Sequence, residues 1–247
     1  MFTLNSLPPQ IDEARLQLLC QAEPTTIGHF LHTGFMEPAV RSFFPDIRIA
    51  GTAVTVKSPG PDAVIIHHAL GQCRPGDILV IDRCGDHKHA CAGGAVAYAA
   101  RKAGIIGIVV DGMVTDIGEL RMYGVPVWAR GLSPITQKKL GFGGGFCVPI
   151  SCGGVSVRPG DAVFADENGV LILDPMDIEW AAKRAITLQQ EEKKTLARID
   201  AGEKIADIVG STELIQQSLM ETLTVSRPHH VHAGLPLARD NKGSRGS

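Results

Sequence analysis

The chain has 247 residues, with 24 Lys plus Arg against 26 Asp plus Glu, a net charge of −2. That balance excludes a global electrostatic drive toward nucleic acid or an anionic membrane. The length is too short for two equal domains near the usual ~150 residues each, so one core with a C-terminal appendage is expected. Hydrophobic residues at 44% and charged residues at 20% suit a well-buried globule.

Residues 11–22 carry Ile11, Ala14, Leu16, Leu18 and Leu19 at helical spacing. Glu23-Pro24 ends that helix, and Thr25-Thr26 is placed to cap another. Residues 49–56 alternate as a strand, residues 63–70 predict a short helix, and Pro75-Gly76-Asp77 turns into a buried strand over 78–81. Alanine-rich residues 94–103 predict a helix and 107–110 another buried strand. Residues 117–122 give one or two helical turns stopped by Gly124, and 125–129 a strand. Short strands follow at 148–150, 154–157, 162–165 and 170–173. Pro159-Gly160-Asp161 repeats the earlier turn: Pro presets φ, Gly takes the unusual dihedral and Asp caps.

From Asp174-Pro175 the pattern is helical, with Ile178, Ala181, Ala182, Ala185, Ile186 and Leu188 on one stripe. Gly202 breaks it, and a second helix runs to about Met220. The expected organisation is therefore a layered α/β core with N-terminal helices over 1–174, a helical arm over 175–222 and a polar, loose tail over 223–247. The tail histidines, His229, His230 and His232, are expected to have no native binding role.

The longest apolar run, Ala103 to Val110, is strand-like and far below the roughly 18 residues of a spanning helix. Residues 1–12 lack a basic region followed by an apolar one, so no secretory signal is expected. Cys20, Cys73, Cys84, Cys91, Cys147 and Cys152 form no CxxC pair and read as structural thiols of a reduced, cytoplasmic chain.

Chemistry concentrates between Gly93 and Arg121. Gly93-Gly94 opens a predicted helix after a polar loop. Glycines there let a ligand carboxylate approach the free amides of a helix N-terminus, or simply make a tight turn. Asp116 and Glu119 follow a predicted strand at its carboxyl end, where ligands of α/β sheets sit. Three residues apart, they share one side of a helical turn. They suit a hard divalent cation, one directly and one through water, and equally suit a capping box. Asp86-His87-Lys88-His89 offers ligands or a base, or is a solvated loop; His67-His68 reads as packing or an interface. There is no Gly-x-Ser-x-Gly elbow, Walker loop or dinucleotide fingerprint.

At these residues the sequence resembles the RraA-like family, which contains regulators of ribonuclease E and metal-dependent aldolases for 4-hydroxy-4-methyl-2-oxoglutarate and related acids. The enzyme branch carries Gly-x20-Arg-Asp-x2-Glu/Asp. Gly94, twenty intervening residues, Thr115, Asp116 and Glu119 fall in that register. The resemblance runs from about Thr25 to Leu173. It includes Pro75-Gly-Asp77, Val110-Asp-Gly112, Arg130-Gly131 and Pro149-Ile-Ser-Cys-Gly-Gly154. It implies a β/β/α layered, swivelling-type domain with a C-terminal helical arm, assembled as a homotrimer or hexamer with sites between subunits.

It further implies a lyase that cleaves a carbon–carbon bond of a small 2-oxo acid to give pyruvate enolate, with oxaloacetate decarboxylation open to the same site. Asp116 would bind Mg²⁺ or Mn²⁺, with Glu119 joining through water. The amides of Gly93, Gly94, Ala95 and Val96 would hold the substrate carboxylate. Thr115 stands where the motif has the arginine that contacts the keto acid, and threonine cannot replace a guanidinium fork. Arg83 is expected to supply the missing charge, with Lys88 and Arg121 as the other nearby cations. The alternative is a non-catalytic regulator of an RNA-degrading enzyme or a ligand-binding protein.

Overall fold

The computed structural model describes residues 1–225. The first elements are β1 (Phe2–Leu4), α1 (Glu13–Cys20), α2 (Pro24–Ile27), β2 (Arg41–Ser42), β3 (Arg48–Lys57), α3 (Val64–Leu70) and β4 (Asp77–Asp82). Next come α4 (Gly94–Ala103), β5 (Gly107–Val114), α5 (Ile117–Tyr123), β6 (Val127–Leu132) and β7 (Gly144–Phe146). The β-rich part holds β8 (Ile150–Cys152), β9 (Val155–Val157), β10 (Ala162–Asp166) and β11 (Gly169–Leu173). A 3₁₀ turn (Pro175–Asp177) leads into α6 (Ile178–Asp200), α7 (Ile205–Ile208) and α8 (Ser211–Val225).

Strands β3, β4, β5 and β6 run parallel at the centre of a nine-stranded sheet. The hairpin of β10 and β11 pairs with the first half of β3, and β7 takes that edge further along. Period-two alternation sorts the core between the two faces. Leu79, Ile81, Ile108 and Val110 meet Ile65, Ile66, Ala97, Ala100 and Leu120 of α3, α4 and α5. Ile78, Val80, Val109 and Trp128 point the other way, onto Ile150, Cys152, Val163 and Val170 of the β layer. The result is the expected β/β/α layering. Beyond the hairpin, Phe164 and Leu171 pack on Leu19 and Ile27 and on Ile178, Ala181, Ala182 and Ala185 of α6.

Contacts divide the chain into two compact units, Met1–Glu192 and the residues from Lys193 onward. The first turns of α6, expected in the arm, are thus core residues. In the second unit Arg198 pairs with Glu203 at 2.6 Å, and Ile205, Val209, Leu214, Ile215 and Leu219 are exposed. Leu223, Thr224 and Val225 are still helical, so α8 extends into the span expected to be tail. The rest of that span, with its three histidines, lies outside the described residues. Among the described residues no helix is long and apolar enough to cross a membrane. All six cysteines are free.

Two local expectations are corrected. Pro24 opens α2 at its first turn, where its fixed φ fits and its missing N–H costs nothing; Thr25 and Thr26 lie inside that helix rather than capping it. The strand expected over 107–110 continues to Val114 with an irregularity between Val110 and Met113. That extension carries the chain to Thr115 and Asp116.

Candidate active site

Two short backbone ties place the site. Cys91 N donates to Met113 O at 3.0 Å, and Thr115 N donates to Ala92 O at 2.9 Å, so the loop that opens α4 is stitched to the end of β5. Asp116 then adopts φ 54° and ψ 44°, the left-handed region that Asp tolerates better than most residues. It occupies the N-cap position of α5, yet its side chain makes no cap hydrogen bond. Its Oδ2 instead accepts from Gly94 N at 3.1 Å, and its Oδ1 accepts from Thr115 Oγ1 at 3.2 Å. The capping-box reading of Asp116 is therefore excluded by geometry: the carboxylate turns across to the neighbouring helix.

The two glycines have a specific role. A Cβ on Gly93 would lie 2.5 Å from Asp116 Oδ2, and one on Gly94 would lie 1.5 Å from Glu119 Oε2. The glycine pair thus makes room for the chain's own carboxylates. The Gly94 amide, expected to bind a substrate carboxylate, is already engaged by Asp116. Ala95 and Val96 follow in the first helical turn, whose amides have no intrahelical acceptor.

A cavity of about 390 Å³ opens here, lined by Ala63, His67, Ala90, Cys91, residues 93–96, Thr115, Asp116 and residues 136–139. Lys138 and Lys139 face the site from the loop between β6 and β7, and His67 from α3. Burial pushes the Cys91 thiol up to about 12, so this cavity-wall sulfur is a neutral thiol rather than a nucleophile. A second cavity, about 560 Å³, lies at the opposite strand ends beside Thr52, Gly76 and Ile106; its lining includes Glu13 but no cation.

Arg83 is not at the cavity. It is fully buried and donates to Ser58 O at 2.6 Å, to Ser58 Oγ at 2.8 Å, to Gly60 O, and to Asp86 Oδ2 at 3.1 Å. Gly112 accommodates its stem, since a Cβ there would meet Arg83 Cγ at 2.5 Å. Lys88 is exposed away from the lining, and Arg121 reaches Phe43 O at 3.3 Å. The cations that do line the cavity are the two lysines, which the motif register did not single out. Their only sequence signal is a Lys-Lys pair in a polar loop before the glycines at 141–145.

The Asp86 loop is scaffold. Burial pushes its carboxyl up, but the amides of Lys88 and His89, the His89 ring at 2.9 Å and Arg83 together hold it below the usual carboxylate range. Asp111, Arg130 and Gly153, drawn from three separate parts of the resemblance, converge in one knot. Arg130 Nε donates to Asp111 Oδ1, and Gly153 N donates to Asp111 Oδ2 at 2.8 Å.

Asp116 and Glu119 offer hard oxygen donors, one against Gly93 and the other against Gly94, and both residues are exposed. Among the described residues no group of three or more His, Cys, Asp or Glu gathers into a closed metal cage. Two carboxylates at an open site fit a Mg²⁺-type ion, which keeps several waters and needs few protein ligands.

The family model for RraA-like proteins, described as Aldolase/RraA, matches residues 19–172. The chain belongs to the RraA-like family. Among RraA-like relatives, a Halalkalibacterium halodurans protein named "Putative 4-hydroxy-4-methyl-2-oxoglutarate aldolase" is 36% identical over 146 residues, 59% of this chain and 69% of the relative. A Burkholderia multivorans protein of the same name is 36% identical over 137 residues, 56% of this chain and 82% of the relative. Streptomyces coelicolor RraAS2, described as an unusual member of the RNase ES inhibitor RraA family, superposes with a TM-score of 0.68 at 24% identity. That match covers 76% of this chain and 98% of RraAS2, and it speaks to the fold alone. The RNA-processing inhibitor RraA from Thermus thermophilis superposes with a TM-score of 0.56 at 30% identity, over 62% of this chain and 93% of that one.

Proposed function

We propose that this RraA-like chain is a divalent-cation-dependent lyase that cleaves a carbon–carbon bond of a small 2-oxo acid to release pyruvate, as the aldolase names of its relatives suggest. The observation that carries the reading is the turn of Asp116 away from its own helix, beside Glu119 and across a cavity from Lys138 and Lys139. Asp116 would hold Mg²⁺ or Mn²⁺, with Glu119 joining through water. When bound, the cation supplies Lewis-acid stabilisation of the enolate charge left on the 2-oxo fragment.

The remaining roles belong to the chain itself. Thr115 orients Asp116 through its hydroxyl and leaves the anion-binding charge to the lysines. Lys138 and Lys139 bind the substrate carboxylates, helped by the Ala95 and Val96 amides and the positive end of α4. Replacing both lysines by alanine is expected to raise KM for oxaloacetate roughly tenfold or more, the scale of losing a charge-assisted contact. A lactate dehydrogenase-coupled pyruvate assay with and without Mg²⁺ and chelator measures it, and an unchanged KM would remove the lysines from the site.

The imidazole of His67 is assigned the substrate's hydroxyl proton in an aldol cleavage. Oxaloacetate decarboxylation releases no such proton. His67→Gln is therefore expected to depress aldol cleavage about 100-fold and decarboxylation much less. Equal losses in the two reactions would refute this role.

One observation favours a second reading, a non-catalytic regulator or ligand-binding protein. The motif arginine is Thr115, and none of Arg83, Lys88 and Arg121 lines the cavity. Absence of metal-dependent pyruvate from every 2-oxo acid tried, with tight binding to a ribonuclease, would select it. The trimeric or hexameric assembly with shared sites belongs to the same proposal, with light scattering as its test.

A further inference from the structure

The loop that carries Lys138 and Lys139 contains no helix or strand between β6 and β7, yet it is tied down at many points. Its first part is held by Ala90 N donating to Ile135 O at 2.8 Å and by Ser133 Oγ donating to Lys88 O at 2.7 Å, whereas the ties around Lys138 and Lys139 lead to one short segment, residues 61–63, between β3 and α3. Lys138 N donates to Pro61 O at 2.8 Å, and Ala63 N donates to Lys138 O at 2.9 Å, a bridge between Asp62 and Lys138. The Asp62 carboxylate closes the rest. Its Oδ1 accepts from Val64 N and from Leu140 N, each at 3.1 Å, and its Oδ2 accepts from Phe142 N at 2.6 Å. Its carbonyl oxygen accepts from Gln137 Nε2 at 2.7 Å and from Ser58 Oγ at 3.0 Å.

Asp62 is 1% exposed and does not line the cavity. Among the described residues it has no cationic partner, and a carboxylate so buried is unfavourable unless amides satisfy it. Burial pushes its carboxyl up, but the amides of Leu140, Val64, Phe142 and Gly141 outweigh that and hold it below the usual carboxylate range. Three of those amides, of Leu140, Gly141 and Phe142, directly follow the lysines on the loop, so satisfying the charge also sets the loop's path. The buried guanidinium of Arg83 holds Ser58 and Gly60 from beneath and so stabilises the segment on which Asp62 sits.

We propose that Asp62 is a positioning residue: its buried carboxylate tethers the lysine loop so that Lys138 and Lys139 are held over the cavity. The inference rests on the anion-binding reading of that cavity, and Arg83 serves it indirectly, through Ser58, rather than by touching a substrate.

Asp62→Asn tests it with little change in volume. Asparagine keeps one oxygen for Val64 and Leu140 but turns a donor toward the Phe142 amide. Two readouts are taken on the full chain: hydrogen exchange of the Leu140 and Phe142 amides, and affinity for oxalate with Mg²⁺ by calorimetry. The expected result is tenfold or greater acceleration of both amides with β4 and β5 unchanged, and oxalate binding weakened at least tenfold at a temperature where the variant is fully folded. A merely structural role would lower the melting temperature and leave affinity untouched. Unchanged exchange overturns the tether. Faster exchange with unchanged affinity overturns its service to the site. A wild-type chain that binds no oxalate overturns the anion-site reading, and exchange alone then judges the tether. If Asp62→Asn does not fold, the wild-type chain decides: its Leu140 and Phe142 amides should exchange at least tenfold more slowly than freely exposed loop amides, and equal rates overturn the tether.

Discussion

Asp116→Asn is expected to lower metal-dependent pyruvate formation about a thousandfold, or ~4 kcal/mol of transition-state stabilisation, while leaving the fold intact. Asparagine is the informative substitution for three reasons. It matches aspartate in shape, so the contact with Gly93 is unchanged. It favours the left-handed backbone that residue 116 adopts at φ 54°, where alanine would add strain. Its amide oxygen still accepts from Gly94 N, and its NH₂ donates to Thr115 Oγ1, whose hydroxyl rotates to accept. What disappears is the negative charge. Loss of activity with an unchanged melting temperature assigns the charge to chemistry. Retained activity that still requires Mg²⁺ would place the cation elsewhere and leave Asp116 as a structural link between β5 and α4.

Gly94→Ala carries the second large effect, and its sign differs between stability and activity. Gly94 is the first residue of α4 and its φ lies outside the left-handed region, so alanine meets no backbone penalty and favours a helix by up to ~1 kcal/mol. The added methyl, however, would stand 1.5 Å from Glu119 Oε2 and 2.5 Å from its Cδ. Glu119 is exposed, so its carboxylate has room to swing away, while its Cβ, 3.2 Å from the added methyl, must give by a few tenths of an ångström. The variant is expected to melt at or slightly above the wild-type temperature, and to need tenfold or more Mg²⁺ for half-maximal activity, as when an outer-sphere partner of a metal is lost. Calorimetric melting and a Mg²⁺ titration of the coupled assay measure the two. A destabilised variant with unaltered Mg²⁺ dependence would mean that the glycine serves packing alone.

Local patterning made most of the frame legible. The helix expected over 94–103 has those bounds in the structure, because its alanine-rich run is closed by Gly104 in the left-handed conformation. The apolar runs at 78–81 and 107–110 became central strands buried on both faces. The elements that carry no local signal are short or glycine-rich. β1, β2 and β7 have two or three residues each and exist only because a partner strand accepts them. The start of α2 differs from the expected one because Pro24 serves equally as an end and a beginning, and only the fold chooses.

The family resemblance groups Gly93, Gly94, Asp116 and Glu119; spacing alone relates only Asp116 to Glu119, one helical turn apart, because α4 and β5 separate that pair from the glycines. It did not distinguish a capping carboxylate from one aimed at a neighbour, because that depends on the left-handed turn at Asp116 and on α4 lying alongside. Nor did it find the cavity's cations. Arg83 is near the glycines in sequence but buried beneath Gly112, whereas Lys138 and Lys139 are distant in sequence and brought in by hydrogen bonds to residues 61–63. Periodicity and turn chemistry are properties of neighbouring residues, so the chain alone determined its longer helices and strands, its α/β class and the spacing of its carboxylate pair. Which charges face that pair was decided by tertiary structure, because a buried carboxylate some eighty positions away in the chain had to find its amide donors.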